Sequence, residues 1–322
     1  MQFFYLTLEQ MLSIFTMIMA GLVIRKKCHF PENSDNAIAK LLANVFVPAL
    51  FLHTQMTQCT IESFRENYPL MLYGLAVVLV AVAGAYLLSY LFVRKKSGTS
   101  AEDYQRNIYR YALTFGNYGY LGMFIVQEIW GAEMLYKYTL FTALLGIVCN
   151  SWGLYILVPK EKSAGFLQNL KNGLLKPPLV ALVLGIVIGL TNTAQYFPKF
   201  FVTALESAGK CQGPVAMVLA GFIIGGYDFK KLISNGKVYV VSFLRLIAIP
   251  AVMMLVMRAL HIPKEIMLLT LVTFAAPLGM NTIVYPAAYG GDTQTGASMA
   301  SISHALAIIT LPIMYLVFIE MM

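Results

Sequence analysis

Apolar stretches of about 20 residues recur along almost the whole chain, and a helix of that length crosses a hydrocarbon core of roughly 30 Å. The stretch YGLAVVLVAVAGAYLLSYLF (73–92) is the plainest of them. Inside lipid every backbone N–H and C=O must be satisfied within the protein, so runs this long read as membrane-spanning helices. With 59% hydrophobic and 12% charged residues among 322, too little polar surface is left to cover a soluble protein of this size. The reading is an all-α integral membrane protein with ten transmembrane helices. They are placed at 7–25, 36–56, 67–93, 104–129, 133–158, 177–193, 208–227, 236–260, 265–289 and 294–320. The connections are short, so the chain reads as a single membrane domain.

The formal net charge of +8 does not call for nucleic acid, because the positives cluster between spans. Arg25, Lys26 and Lys27 follow the first span, and Arg94, Lys95 and Lys96 the third. Lys160, Lys162, Lys171 and Lys176 follow the fifth, and Lys230, Lys231 and Lys237 the seventh. The opposite loops carry fewer positives, several offset by acids, so these basic loops are assigned to the cytoplasm and both termini to the outside. The expected location is the plasma (cytoplasmic) membrane. The N-terminus, MQFFYLTLEQ, has no basic n-region and reads as a short tail before an uncleaved span. The segment 163–176 carries Phe166, Leu167, Leu170, Leu174 and Leu175 at helical spacing, and reads as an interfacial helix in a cytoplasmic linker (159–176). Cys28, Cys59, Cys149 and Cys211 have neither disulfide-framework nor zinc-ligand spacing.

A weak internal repeat organises the spans. Gly21-Leu-Val-Ile returns 164 positions on at Gly185-Ile-Val-Ile, and Phe30-Pro31 returns 167 on at Phe197-Pro198. Pro48-Ala-Leu returns 166 on at Pro214-Val-Ala, and Asn117 returns 164 on at Asn281. Four matches in order at a nearly constant offset indicate two five-helix repeats, 1–158 and 177–322. A five-span unit ends on the side opposite its start, so its duplicate is inverted.

Spans four and nine are interrupted at equivalent places. The fourth holds Phe115-Gly116-Asn117-Tyr118-Gly119-Tyr120-Leu121-Gly122, and the ninth holds Ala275-Ala276-Pro277-Leu278-Gly279-Met280-Asn281-Thr282. Glycines at this density, or a proline followed by glycine, weaken a helix interior. Backbone freed there must be buried in protein or line a wet cavity. Two such breaks predict a crossover of discontinuous helices, whose half-helix N-termini present positive dipole ends suited to a carboxylate. Asn117 and Asn281 add amide donors without a buried charge. Tyr118, Gly116, Thr282 and Met280 join them as candidate substrate contacts, with Asn44 and Gln212 offered by spans two and seven, where Gln55 also stands. Gly119, Gly122, Pro277, Gly279, Pro48 and Pro214 are candidates for shaping the breaks. The competing reading is that the glycines permit close packing and the asparagines bond across helices.

The pieces NVFVPALFL (44–52), FGNYGYLGMFIV (115–126), KNGLLKPPLVALVLGIVIGL (171–190), AAPLGMNTIVYPAAYGGD (275–292) and SISHALAIITLPI (301–313) resemble the auxin efflux carrier family. That family includes plant auxin carriers and bacterial malonate and malate permeases. The resemblance implies ten helices, with a scaffold of spans one, two, six and seven and a moving part of spans three to five and eight to ten. It also implies elevator-like alternating access, a homodimer and a small carboxylate substrate. The family's fourth-span motif often reads GNxGxLGxP, but here Gly122 is followed by Met123 and Phe124 with no proline, which makes the first break the less sharply defined of the two.

Arg245 lies about 12 Å up its helix from Lys237. It is read as snorkelling or internally paired, or else as attracting an anion. His304, flanked by Ser301 and Ser303, is a candidate for proton coupling or a hydrogen-bonded packing residue. No cofactor or metal site is implied, and coupling to protons or sodium is left open. A cation/proton antiporter would need carboxylates at mid-membrane. No aspartate falls in the middle of a span, which favours an organic-anion transporter. Tyr227-Asp228 and Tyr289-Gly290-Gly291-Asp292 loosely match an intramembrane aspartyl protease, but both aspartates sit at span ends and the second site lacks the first glycine of GxGD.

Overall fold

A computed structural model of the chain describes residues 2–31, 34–93, 99–159 and 165–320. Arg94, Lys95, Lys96, Lys160 and Lys162, which entered the orientation argument, lie outside these residues. The described residues are mainly helical, in the order α1 (Gln2–Lys27), α2 (Ser34–Gln58), α3 (Ile61–Leu91), α4 (Ser100–Thr114) and α5 (Tyr118–Leu157). Then come α6 (Phe166–Leu174), α7 (Pro177–Leu190), α8 (Lys199–Gly225) and a short α9 (Phe229–Ile233). The last are α10 (Gly236–Ala259), α11 (Lys264–Phe274), α12 (Asn281–Tyr289) and α13 (Gln294–Glu320). The described residues contain no strand, and one isolated antiparallel bridge pairs Gly116 with Leu278.

Seven helices among the described residues are long and apolar enough to cross a membrane, or eight if the pair α6 and α7, bent by 47°, makes one span. The difference from ten has local causes. The sequence assigned to span four is divided between α4 and the start of α5, and that assigned to span nine between α11 and α12. Separately, α4, α11 and α12 are too short to pass as spans. The start of α5 then runs on through Gly131, whose φ of 78° is not helical, into the segment assigned to span five. The described part of the linker forms α6, with Phe166, Leu167 and Leu174 exposed and Asn169 and Gly173 turned inward. That distribution suits a helix lying along an interface.

Two tight helix pairs flank the interrupted region: α1 runs along the second half of α8, and α7 along α2. Gly21 faces the backbone of Val218 and Phe222 in the first pair, and Gly185 faces Leu52 and Gln55 in the second. A methyl group at either position would run into the facing helix, so small residues set the close approach. The sequence around the breaks lies deeper. Every residue of α11 from Ile266 to Phe274 is buried, whereas α3 and α7 expose Leu79, Val80, Leu87, Val183 and Leu184. A helix apolar on all sides belongs inside the protein, and one with an exposed apolar face belongs against lipid.

Candidate functional site

The helix beginning at Ser100 ends at Thr114, where Phe115 turns extended (φ −113°, ψ 126°) and Asn117 leaves the helical region (ψ 45°). Helix resumes at Tyr118 with a π-helical turn, Tyr118–Gly122, and Met123 follows in ordinary helical geometry (φ −62°, ψ −42°). Glycine-rich backbone therefore interrupts this helix without the motif's proline. In the second region α11 ends at Phe274 and α12 begins at Asn281, with Ala275–Met280 between them non-helical. The two interruptions meet: the Asn117 N–H donates to the Pro277 carbonyl at 2.6 Å, beside the Gly116–Leu278 bridge. A Cβ on Gly116 would come within 2.6 Å of an Arg245 nitrogen and 2.7 Å of the Ala276 carbonyl, so only glycine fits there.

Arg245 organises the back of this junction. It is fully buried, on a π-helical turn of α10 (Leu244–Ala248). Nη1 donates to the carbonyls of Leu113 (3.3 Å) and Thr114 (3.1 Å), and Nη2 to that of Thr273 (3.1 Å). Those carbonyls end α4 and α11, where a helix leaves acceptors unpaired and its dipole is negative. One guanidinium thus serves both C-terminal ends, while its Cζ lies 5.2 Å from the centroid of the Phe274 ring. Nη1 and Nη2 are taken up by backbone carbonyls, while the buried Nε has no hydrogen-bond partner among the described residues. Arg245 is not among the residues lining the cavity.

In front of the junction lies a cavity of ≈370 Å³. Gly116, Asn117, Tyr118, Gly119, Met280 and Asn281 line it, as do Met123, Gly279 and Asn44. The opposite wall is apolar, with Leu42, Val47 and Phe51 of α2, Leu182 of α7, and Ala216, Leu219 and Ile223 of α8. The start of α5 and the start of α12 both open on this space, and the first N–H groups of a helix have no intrahelical acceptor. No aspartate or glutamate stands among the lining residues, and Lys176 is the one charged side chain there. The site is therefore a mostly apolar pocket with one electropositive wall.

The two asparagines occupy different settings. The Asn281 amide donates to Tyr111 Oη at 2.8 Å and lies 3.8 Å from Cys149 Sγ, half-buried at the cavity. Asn117 is 4% exposed, and its amide sits 3.4 Å from His304 Nε2. His304 Nδ1 is 2.8 Å from the Ala300 carbonyl, which can only accept, so Nε2 is the nitrogen left to accept from Asn117. His304 braces Asn117 from behind and is not a lining residue.

Several candidate contacts fall elsewhere. Thr282 is fully buried and donates to the Gly279 carbonyl, closing the first turn of α12. Gln212 is 1% exposed and donates to the Tyr120 carbonyl at 3.4 Å, which ties α8 to the start of α5. Gln55 is spent on Thr139 Oγ1 at 2.7 Å. Gly122 is packed against Tyr138. Pro48 follows the π-helical turn Leu42–Phe46, and Pro214 opens the second half of α8; neither lines the cavity. The aspartates of the protease-like pattern are both occupied as local caps, Asp228 by the Lys230 N–H and Asp292 by the Thr295 N–H and hydroxyl. Sequence reasoning missed Lys176, Asn150 and Tyr285, which lie together at the cavity. Lys176 stands at the end of a basic linker, where topology alone accounts for a lysine.

A family model described as "Membrane transport protein" matches residues 6–315. The chain is also 23% identical over 317 residues to a protein of Escherichia coli strain K12 named "Uncharacterized transporter YfdV", covering 94% of this chain and 95% of that one. Proteins of the same name from Escherichia coli O157:H7 and Shigella flexneri match to the same extent.

Proposed function

The chain belongs to the membrane transport protein family, the auxin efflux carriers, and from that premise we propose that it carries a small organic anion across the membrane by alternating access. The observation that carries the anion assignment is the pair of helix starts, at Tyr118 and Asn281, opening on one cavity that no carboxylate lines. Each partly buried helix N-terminus contributes up to ~2 kcal/mol toward an anion. A cation carrier on the same frame would need acidic ligands at this depth. The Asn281 amide is the polar contact on the open side, and the apolar wall formed by α2, α7 and α8 accommodates a short carbon skeleton.

The mechanism follows from the division of the molecule. In the proposed reading the chain crosses ten times as two inverted repeats, with α5 turning back at Gly131. Two observations support the inverted symmetry. The interruptions meet in an antiparallel bridge, and the tight pairs α1–α8 and α2–α7 exchange under the repeat, with Gly21 and Gly185 at their contacts. The pairs form the scaffold, and the interrupted helices, joined through Arg245, move against its apolar wall as one elevator-like body. A homodimer would fix the scaffold in the membrane.

The test is uptake into proteoliposomes across a panel of small mono- and dicarboxylates and amines of matched size, with and without sodium and pH gradients. The proposal expects saturable uptake of one or more acids, accelerated by the same acid preloaded inside. Uptake of amines in place of acids, or acid flux indifferent to preloading, would overturn it.

A further inference from the structure

Lys176 is the one charged side chain among the described residues lining the cavity, and no carboxylate among the described residues pairs with it. Its Nζ donates to Asn150 Oδ1 at 2.6 Å and to Tyr285 Oη at 3.1 Å, and Tyr285 Oη donates in turn to Asn150 Oδ1 at 3.0 Å. The ammonium also lies 5.2 Å from the centroid of the Tyr285 ring. Both neutral partners orient the charge, and neither neutralises it. A part-buried ammonium without a counter-ion among the described residues is partly desolvated and unpaired, and that cost is relieved when an anionic group joins it.

The position of this cluster relative to the helix starts is set by the backbone. Tyr285 follows Asn281 by four residues on α12, so the two side chains share a face about 6 Å apart along the axis. Asn150 follows Cys149, whose Sγ lies 3.8 Å from the Asn281 amide nitrogen. The cavity therefore has two positive poles, the helix starts with Asn281 and the Lys176–Asn150–Tyr285 cluster, linked through α12 and through Cys149–Asn150.

We propose that Lys176, oriented by Asn150 and Tyr285, binds a second acidic group of the substrate and gives the site its preference for dianions over monoanions. This inference rests on the anion-carrier reading above. A monocarboxylate fills the pole at the helix starts alone. A short dicarboxylate reaches both, and its second carboxylate takes a place at the ammonium, where a hydrogen-bonded ion pair replaces a bond to a neutral acceptor.

The test measures binding to the purified full-length protein by ligand-dependent thermal stabilisation, with malonate and succinate as probes against their monomethyl esters. The esters keep the skeleton and lose one charge. The wild-type protein is expected to bind diacid over ester by about tenfold or more, the value of one charge-assisted contact. In Lys176→Gln that ratio is expected to collapse toward one, and in Lys176→Arg to be largely kept. If wild type binds diacid and ester equally, or if Lys176→Gln weakens both in equal proportion, the second pole is refuted and the anion-carrier reading stands. If no acid or ester stabilises the wild type, the carrier reading fails and takes this inference with it. The comparison on wild type alone remains decisive should Lys176→Gln fail to fold.

Discussion

The two interruptions are matched in sequence and share one brace, yet they are built differently. Both preceding helices end in carbonyls that Arg245 satisfies, and both following helices begin at the cavity. The first interruption is short, 115–117, and its asparagine is buried against His304. The second is longer, 275–280, is fixed by Ser303 Oγ accepting from the Leu278 N–H at 2.9 Å, and leaves its asparagine half-open beside Tyr111. The two asparagines, equivalent under the proposed repeat, thus occupy unequal settings. On the proposed reading Asn281 is the amide that meets substrate, and Asn117 is a brace that keeps the first interruption in register.

The strongest way to break the idea of a shared brace is Arg245→Leu. It leaves the carbonyls of Leu113, Thr114 and Thr273 buried without this donor, and the expected loss is about 3–5 kcal/mol at ~1–3 kcal/mol for each unsatisfied group, tempered by removal of a buried charge. Thermal unfolding in detergent reads it, and an unchanged midpoint would separate the two interruptions. The asparagines come next. Asn281→Ala is expected to lower carboxylate uptake about tenfold or more, the loss of one good polar contact, with less than ~1 kcal/mol of stability lost because its partner Tyr111 Oη keeps Cys149 Sγ. Asn117→Ala should lower the midpoint as well, by ~1 kcal/mol for one lost buried hydrogen bond. Equal behaviour of the two variants would remove the distinction between them. The smallest contrast is at the glycines. A Cβ at Gly116 meets Arg245 and Ala276, whereas one at Gly279 finds its nearest neighbour, the Gly116 carbonyl, at 3.3 Å. Gly116→Ala should cost about 1–3 kcal/mol as overpacking, and Gly279→Ala less than about 1 kcal/mol.

These contrasts also mark what was legible from sequence. Apolar run length located the long helices, and the density of Gly, Pro and Asn located both interruptions, because those residues act on the backbone at their own positions. Asn281 and Met280 lie at the cavity for the same reason. Contacts made by backbone over long separations were not legible. Arg245 binds carbonyls 132, 131 and 28 positions away, and any residue type can supply a carbonyl. Lys176 looks like a topology lysine until the start of α7 brings it to Asn150 and Tyr285, 26 and 109 positions away. Thr282 and Gln212 went the other way: polar residues near a break were as useful for closing a helix turn or tying two helices as for meeting a ligand. The missing proline after Gly122 and Met123 carried less weight than the motif implied, since glycine and extended backbone at Phe115–Asn117 interrupt the helix without it.

The central claim is electrostatic, so the most direct measurement changes charge and leaves shape alone. Asn281→Asp is isosteric and, ionised at alkaline pH, sets a negative charge at the start of α12 beside the start of α5. Proteoliposomes carrying equal amounts of folded wild type and Asn281→Asp are compared for saturable uptake of the same small carboxylates. The account predicts that the variant loses nearly all carboxylate uptake, and more of it than Asn281→Ala loses. Wild-type carboxylate uptake by Asn281→Asp would contradict it.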